Sequence, residues 1–176
     1  MHSRTGGKLD LAKFIDQAGL SSKGVAIRSF SQSTYSAGEA SNVLGVKISQ
    51  IIKTIVIKLD HTACLTIVTG DRRIHQRSLR KVAQSKLGWK ISDSRLATPE
   101  ETLSATGYKV GAVPPIGHDL NTFIDITVTR ELLVYGGGGS ANSILEIPVK
   151  ILIEMTRPCI GEFSRPTTKW QNPYES

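Results

Sequence analysis

Cysteine is scarce in this chain, and long apolar runs are absent. The 176 residues include two cysteines, Cys64 and Cys159, which lie far apart with neither a CxxC partner nor histidines at ligand spacing. This pattern excludes a disulfide framework and a zinc site, and we predict no metal and no cofactor. No apolar run approaches the roughly 20 residues that cross a bilayer, and residues 1–8 lack the apolar stretch of a signal peptide. We therefore expect a cytoplasmic protein with no membrane association.

Acidic residues are missing from one long stretch of the chain. From position 72 to 90 there is no Asp or Glu, yet the stretch contains seven basic residues: Arg72, Arg73, Arg77, Arg80, Lys81, Lys86 and Lys90. Helical spacing would place four of them on one face: Arg73, Arg77, Arg80 and Lys81. Leu79, Val82 and Ala83 would then point toward a core, and Gly88 would end the helix. Two interpretations are open, a solvated helix face and a surface that binds nucleic acid.

The remaining pattern predicts an α/β (α+β) chain. Helical periodicity, a capping-box pair at Ser36 and Glu39, and Pro99 at a first helical position predict helices at 9–18, 36–45, 98–107 and 148–155. β-Branched and apolar runs predict strands at 25–30, 53–59, 63–69, 123–128, 132–135 and 143–147, with 53–59 and 63–69 as a hairpin. Because strands and helices do not alternate regularly, we expect a mixed sheet. We predict one domain over residues 1–155 and a flexible or weakly docked tail over 156–176.

The segment 107–118 is the first candidate for chemistry. It contains three glycines and two prolines, so it is stiff at Pro114 and Pro115 and lets a ligand approach the backbone at Gly111 and Gly117. Such a loop can present N–H groups to a carbonyl oxygen. The alternative is a plain connection between a helix and a strand.

The second candidate is the run Gly136–Gly139, which lies beside predicted strands. Four consecutive glycines indicate that something comes close to the backbone there, and no phosphate-loop Gly-Lys-Ser/Thr follows them. Lys53 opens an apolar strand and is either a surface charge or a site residue. His118 is either a base or a hydrogen-bonding turn residue. Asp125, on a strand with apolar neighbours, needs a partner such as Lys53 or a loop amide unless the strand is an edge.

An ordered set of segments carries a resemblance to a known family. The segments are 34–46 (TYSAGEASNVLGV), 50–56 (QIIKTIV), 68–71 (VTGD), 106–118 (TGYKVGAVPPIGH), 124–125 (ID) and 136–139 (GGGG). In this order they resemble the YbaK/ProX family, whose members are free-standing aminoacyl-tRNA deacylases or the editing domain inserted into bacterial-type prolyl-tRNA synthetases. The match extends from about Leu9 to Met155, and the ordered set is more specific than any one piece.

The resemblance implies a mixed, strongly curved sheet surrounded by helices, with a cleft lined by a lysine and a Gly-Pro loop. It identifies Lys53 as the active-site lysine and makes Gly117, on the loop whose backbone holds the aminoacyl carbonyl, the second catalytic position. The predicted substrate-binding residues are Gly111, Pro115, His118, Asp125, Gly136, Gly137, Gly138 and Gly139. Some relatives carry a histidine where this chain has Tyr135-Gly136, so their substrates are not transferred to it.

The function implied is hydrolysis of the ester between a small mischarged amino acid and its tRNA, with tRNA-Pro as a candidate. An aminoacyl ester is already activated, so Lys53 and the loop amides need only position it and polarise its carbonyl. The basic stretch would guide the tRNA, and an aminoacyl-tRNA synthetase is a candidate partner. Two rival functions are a non-catalytic RNA-binding module and a regulator that binds a small molecule or nucleotide.

Overall fold

The computed structural model describes residues 10–167. Its helices are α1 (Leu11–Gln17), α2 (Ala37–Leu44), α3 (Gln76–Leu87), α4 (Pro99–Thr106) and α5 (Val149–Thr156). Its strands are β1 (Ala26–Ser29), β2 (Ile52–Leu59), β3 (Thr62–Thr69), β4 (Arg72–Ile74), β5 (Ser94–Leu96), β6 (Thr122–Asp125), β7 (Leu133–Gly137), β8 (Ser143–Pro148), β9 (Cys159–Gly161) and β10 (Ser164–Pro166). Short 3-10 helices occur at Ser21–Lys23, Ile48–Gln50 and Ile126–Arg130.

A mixed sheet forms the centre of the fold. Its strand order is β5-β2-β3-β6-β9, in which β2 is antiparallel to β3 and β5 whereas β6 is parallel to β3 and β9. An antiparallel sheet of order β1-β8-β7 is joined to it by a parallel bridge between Ile51 and Tyr135. The predicted hairpin and the predicted mixed sheet are confirmed.

Helix boundaries follow the local signals in the sequence. Ser36 and Thr98 each accept a hydrogen bond from the third helical residue of α2 and α4, and Glu39 and Glu101 complete the two capping boxes. Helix α3 packs on the sheet through the buried Leu79 and Ala83, in a cluster with Ile55, Ile57 and Phe123. Within residues 10–167, no helix is both long and apolar enough to cross a membrane.

The polar segment after residue 155 is part of the fold, which corrects the predicted tail for residues 156–167. Strand β9 extends the central sheet beside β6, and β10 pairs antiparallel with β4. The side chain of Phe163 between them is fully buried. The sequence signal for these two strands was weak, because each strand is three residues long and pairs with a partner distant in sequence. Residues 168–176 of the predicted tail lie outside the described residues.

The basic stretch is only partly helical, which corrects a second prediction. Residues 72–74 form β4, and α3 begins at Gln76 after the N-cap residue His75. Arg73 therefore lies on a strand, directly opposite Arg165 of β10. The predicted end of the helix at Gly88 is confirmed, since this residue adopts φ +66° as the C-cap.

The buried carboxylate of Asp125 fixes the C-terminal segment to the sheet. It accepts hydrogen bonds from the backbone N–H and hydroxyl of Thr127, at 3.1 and 2.6 Å, and from the N–H of Phe163 at 2.8 Å. Burial by itself would raise the pKa of Asp125, but these bonds and one from Ser164 together lower it below the ordinary value. The ionised carboxylate is thus the form that stabilises the fold.

We predict that Asp125→Ala lowers the free energy of unfolding by about 3 kcal/mol, because buried donors lose a charged acceptor. Since the folded-state pKa is lowered, the stabilisation is present above the unfolded-state pKa of about 3.9 and is lost as pH falls through the folded value. Urea unfolding at pH 7 and pH 3 measures both effects. Asp119→Ala, at an exposed position, is the matched control, and equal losses in the two variants would contradict the prediction.

Candidate active site

A cleft of about 460 Å³ opens along the edge of β2. Its other walls include the start of α2, parts of β7 and β8, and three residues of the loop after α4: Val110, Gly111 and Val113. Because Ile51 and Tyr135 both line it, the cleft lies where the two sheets are bridged. Among the described residues that line it, Lys53 is the one cation and Glu39 the one anion. A concave, largely apolar site with a few polar groups is typical of ligand binding.

Lys53 is held in a partly desolvated position near one end of β2. Its ammonium donates a hydrogen bond to the backbone carbonyl of Arg72. Burial lowers the pKa of Lys53 from 10.5 to about 8, and the carboxylate of Asp71 opposes that shift. Asp71 is itself oriented by a 2.7 Å hydrogen bond from the hydroxyl of Thr69. Lys53 is therefore cationic at neutral pH, but closer to losing its proton than an exposed lysine.

The loop wall of the cleft depends on a glycine at position 111. Gly111 adopts φ +85°, and a Cβ placed there would lie 2.6 Å from Cδ1 of Tyr35. Tyr35 immediately precedes the capped start of α2 and is 47% exposed. Tyr35 was not predicted to be a site residue from the sequence, although it lies within the first segment of the resemblance. Aromatic side chains commonly line ligand pockets, and Tyr35 lines this one.

Gly136 and Gly137 also line the cleft, but as part of β7 and not as a loop. A Cβ at Gly136 would lie 3.0 Å from Cγ1 of Ile52, and one at Gly137 would collide with the carbonyl oxygen of Val113. The backbone of the neighbouring loop thus requires glycine at position 137, and the side chain of Ile52 leaves little room for a Cβ at position 136. The predicted close approach is real, and the neighbour that approaches is the loop after α4 at Gly137 and the side chain of Ile52 on β2 at Gly136.

Several predicted site residues do not line the cleft: Pro115, Gly117, His118, Asp125, Gly138 and Gly139. Pro115 is buried behind Gly136, with its Cδ 3.6 Å from where a Cβ of that glycine would be. Nε2 of His118 lies 2.9 Å from the carbonyl oxygen of Pro114, and burial lowers the pKa of this histidine although that bond opposes the shift. His118 therefore holds the loop together. Gly117 adopts φ +86°, which accounts for a glycine there without a ligand.

The other three residues have structural partners as well. Asp125 binds the amides of Thr127 and Phe163, so its partner is a loop amide and not Lys53. The N–H of Gly138 donates to the carbonyl of Ser143 at 3.1 Å, which closes the connection between β7 and β8. The N–H of Gly139 donates to the carbonyl of Ala112 at 3.0 Å. The structure thus brings together Lys53 with Gly111, Gly136 and Gly137.

Comparison with known proteins decides the family. A sequence model of the aminoacyl-tRNA editing domain matches residues 31–155, which include every part of the cleft. The chain belongs to the aminoacyl-tRNA editing domain family.

Relatives of this editing domain include free-standing proteins and parts of longer enzymes. The Bacillus subtilis protein YwhH, which is uncharacterized, is 29% identical over 133 residues, or 74% of this chain and 80% of YwhH. A proline–tRNA ligase of Solidesulfovibrio magneticus is 33% identical over 87 residues, covering 49% of this chain and 14% of the ligase. A crystal structure of a proposed trans-editing enzyme for prolyl-tRNA synthetase superposes with a TM-score of 0.72 at 26% identity, covering 90% and 99% of the two chains. The fold and family predicted from the sequence are confirmed.

A cationic surface of the editing domain is formed around β4, the strand whose Arg72 carbonyl accepts the hydrogen bond from Lys53. It consists of Arg73 on β4, Arg165 opposite it on β10, and Arg77 and Lys81 on α3, all exposed. Desolvation and then these four cations lower the pKa of His75, because nearby positive charges oppose its protonation. Arg165 was missed in the sequence analysis because it was assigned to the tail. Like charges placed directly opposite on adjacent strands are destabilising, so an anionic partner would relieve their repulsion.

Arg80 differs from the rest of the predicted stripe. Its guanidinium donates to the carbonyl oxygen of Ser92 at 3.0 Å, and the residue is half-buried. It thereby ties α3 to the segment before β5. Among residues 10–167, no three His, Cys, Asp or Glu side chains are grouped so that they could hold a metal ion.

We predict that Asp71→Asn lowers the pKa of Lys53 further below about 8, because the carboxylate that favours the ammonium is removed while burial remains. The pKa is measured by NMR titration of the labelled lysine side chain. Asp119→Asn removes a charge at an exposed position in another loop and should leave the titration unchanged. An unchanged or raised pKa in Asp71→Asn would show that Asp71 does not act on Lys53.

Proposed function

We propose that this editing domain is a trans-acting deacylase that hydrolyses the ester between a small mischarged amino acid and its tRNA. The observation that carries the proposal is a desolvated lysine at the edge of a cleft, in a chain that belongs to the aminoacyl-tRNA editing family. The likeness to a proposed trans-editing enzyme for prolyl-tRNA synthetase supports a free-standing role and makes tRNA-Pro a candidate. Such a role would place the protein in the cytoplasm, beside a synthetase.

The reaction needs little from the protein. Water attacks the carbonyl carbon of the aminoacyl ester, the bond from that carbon to the terminal ribose oxygen breaks, and the ribose oxygen leaves with a proton. Negative charge develops on the carbonyl oxygen in the transition state, and a preorganised cation or N–H donor stabilises it there. Lys53 is the cation available in the cleft, and its anchoring to the carbonyl of Arg72 limits the reorganisation it must undergo.

Selection for a small amino acid follows from the glycine wall. Gly137 is packed against the backbone of Val113 and Gly136 against the side chain of Ile52, so this wall has little free space into which it could recede to admit a larger side chain. A rigid wall rejects excess volume by steric clash, whereas one methylene in an adaptable pocket changes binding by only about 1–3 kcal/mol. We therefore expect alanyl, seryl, cysteinyl or threonyl esters to be accepted and prolyl or phenylalanyl esters to be spared.

The deciding experiment is deacylation of tRNAs charged with alanine, cysteine, serine, threonine, proline and phenylalanine, with wild-type protein and Lys53→Ala. We expect Lys53→Ala to lower the rate on the preferred ester by about a hundredfold, the scale of one lost transition-state donor. Because Lys53 loses its charge above a pKa of about 8, the ratio of wild-type to variant rates should shrink as pH rises past that value.

The matched control for this experiment is Lys58→Ala. Lys58 lies on the same strand and also donates to a backbone carbonyl, that of His61 at 2.7 Å, but it does not line the cleft. Its removal should leave the rate unchanged. Wild-type rates in a folded Lys53→Ala protein would remove Lys53 from the reaction, and efficient cleavage of the phenylalanyl ester would overturn the small-pocket proposal.

The cationic surface supports tRNA as the carrier of the ester. We predict that Arg73→Ala combined with Arg77→Ala weakens tRNA binding and reduces the slope of log affinity against log salt by about one unit or less per lost phosphate contact. The double variant Lys13→Ala with Lys150→Ala removes equal charge from exposed positions on α1 and α5 and should bind as wild type does. If the two double variants weakened tRNA binding equally, the affinity would depend on the net charge of the protein and not on this surface.

The cationic surface also favours the second candidate, a non-catalytic RNA-binding module. The two functions differ in the deacylation assay alone. Salt-dependent tRNA binding that requires Arg73 and Arg77, together with no hydrolysis of any charged tRNA in the panel, would favour the binding module.

A further inference from the structure

One exposed aromatic ring lines the cleft. Within residues 10–167, four large apolar side chains are exposed: Tyr35, Leu103, Ile126 and Leu132. Tyr35 is the one aromatic residue among them, and it is also the one that lines the cleft. Because exposed apolar side chains are ordinary on a protein surface, the position of Tyr35 is more informative than its exposure. An exposed ring in the wall of a ligand site offers a face that a ligand can cover.

The backbone on both sides of Tyr35 is fixed. The N–H and the hydroxyl of the preceding Thr34 both donate to the carbonyl of Ala141, at 2.9 and 3.2 Å. The N–H of the following Ser36 donates to the carboxylate of Glu39 at 3.0 Å, within the capping box that begins α2. The ring thus projects from a segment that is tied to the fold at each neighbouring residue. A group held in this way loses little conformational freedom when a ligand binds.

The loop after α4 supports the ring from below. A Cβ at Gly111 would lie 2.6 Å from Cδ1 and 3.2 Å from Cε1 of Tyr35, so this edge of the ring rests on the loop backbone. Glycine at position 111 therefore makes room for the ring in addition to adopting φ +85°. Tyr35 nevertheless remains 47% exposed. Its ring is held in place while much of its apolar surface stays available to a ligand.

The chemistry of the proposed substrate supplies a group that fits an exposed ring. The ester joins the amino acid to the ribose of the 3′-terminal adenosine of tRNA, so an adenine base is attached to the same ribose. Unpaired bases commonly stack on aromatic side chains. The cleft, at about 460 Å³, is larger than a small aminoacyl group and leaves space for part of the nucleoside. Because Lys53 and Tyr35 line the same cleft, one ligand can place its ester at the lysine and its base on the ring.

We propose that Tyr35 is the stacking platform for the terminal adenine of the aminoacyl-tRNA. The inference rests on the proposed function, because it takes the ligand of the cleft to be an aminoacyl ester of tRNA. Stacking uses the π-face of the base and needs no hydrogen-bond partner, so it does not depend on which tRNA or amino acid is present. Tyr35 therefore contributes affinity for every ester, whereas the glycine wall selects the amino acid.

The test is a double-mutant cycle that removes the ring and the base separately. Tyr35→Leu keeps apolar bulk and removes the aromatic face. The two ligands are 3′-alanylamino-3′-deoxyadenosine, which is not an ester, and the same compound with hydrogen in place of adenine. Their dissociation constants are measured by NMR titration. We expect adenine to strengthen binding to wild type about five- to a hundredfold, the range of one base–aromatic stack, and to contribute little in Tyr35→Leu.

Three further results separate stacking from a structural role of the ring. Tyr35→Phe keeps the aromatic face and should bind both ligands as wild type does. Leu103→Ala removes a side chain of nearly equal exposure, 46%, from α4 outside the cleft lining and should leave both affinities unchanged. With 2-aminopurine in place of adenine, fluorescence should be quenched on binding to wild type and Tyr35→Phe but not to Tyr35→Leu. An equal loss of affinity for both ligands in Tyr35→Leu would overturn the proposal.

The outcome is independent of the deacylase assay. Coupling between Tyr35 and the base in a protein that hydrolyses none of the charged tRNAs would refute the proposed function and retain the stacking platform. Lys53-dependent hydrolysis without such coupling would do the reverse. In the active enzyme, Tyr35→Leu should raise KM for alanyl and seryl esters by the same factor and change kcat by less than about twofold, because ground-state and transition-state binding are lost equally. Absence of binding of the adenosine ligand by wild type would also overturn the inference.

Discussion

The hydrogen bonds to the buried carboxylate of Asp125 are the constraint on which the candidate site depends. They hold the N–H of Phe163, and the carbonyl of Phe163 in turn accepts the N–H of His75 at 2.8 Å. The next residue, Ser164, accepts from the guanidinium of Arg72 through its hydroxyl at 2.6 Å and its carbonyl at 3.0 Å. Strand β4 is thereby fixed at both ends, and its Arg72 carbonyl holds Lys53. The carboxylate of Asp125 at the end of β6 is thus connected through β4 to the position of the Lys53 ammonium in the cleft.

This arrangement also links the two parts of the proposed function. Arg72 faces the lysine through its carbonyl, and the next residue, Arg73, contributes to the cationic surface with Arg165. A phosphate bound between these arginines would lie on the same small sheet that positions Lys53. Because β4 and β10 are three residues long, their geometry depends on Asp125 and the buried Phe163 more than on their own pairing. The sheet that would contact tRNA is therefore made rigid by the protein core.

Features with a strong local signal could be predicted from the sequence. The hairpin of β2 and β3, the capping box at Ser36, the helix start at Thr98, and the end of α3 at Gly88 each depend on residues close together in the chain. The ordered motifs identified the family, and Lys53, which they single out, lines the cleft. Strands β9 and β10 could not be predicted, because their stability comes from Asp125 and β4, which are distant in sequence. For the same reason Arg73 was predicted to lie on a helix, and Arg165 was not predicted to belong to the cationic surface.

Glycine-rich motifs illustrate why a site residue is harder to predict than a fold. The sequence shows that positions 111, 117 and 136–139 require close approach or unusual torsion, but it does not show which neighbour approaches. At Gly137 the neighbour is the backbone of Val113. At Gly117 a φ of +86° is by itself a sufficient reason for a glycine. At Gly111 the neighbour is the ring of Tyr35. These contacts build the wall of the cleft, so the glycines set its shape.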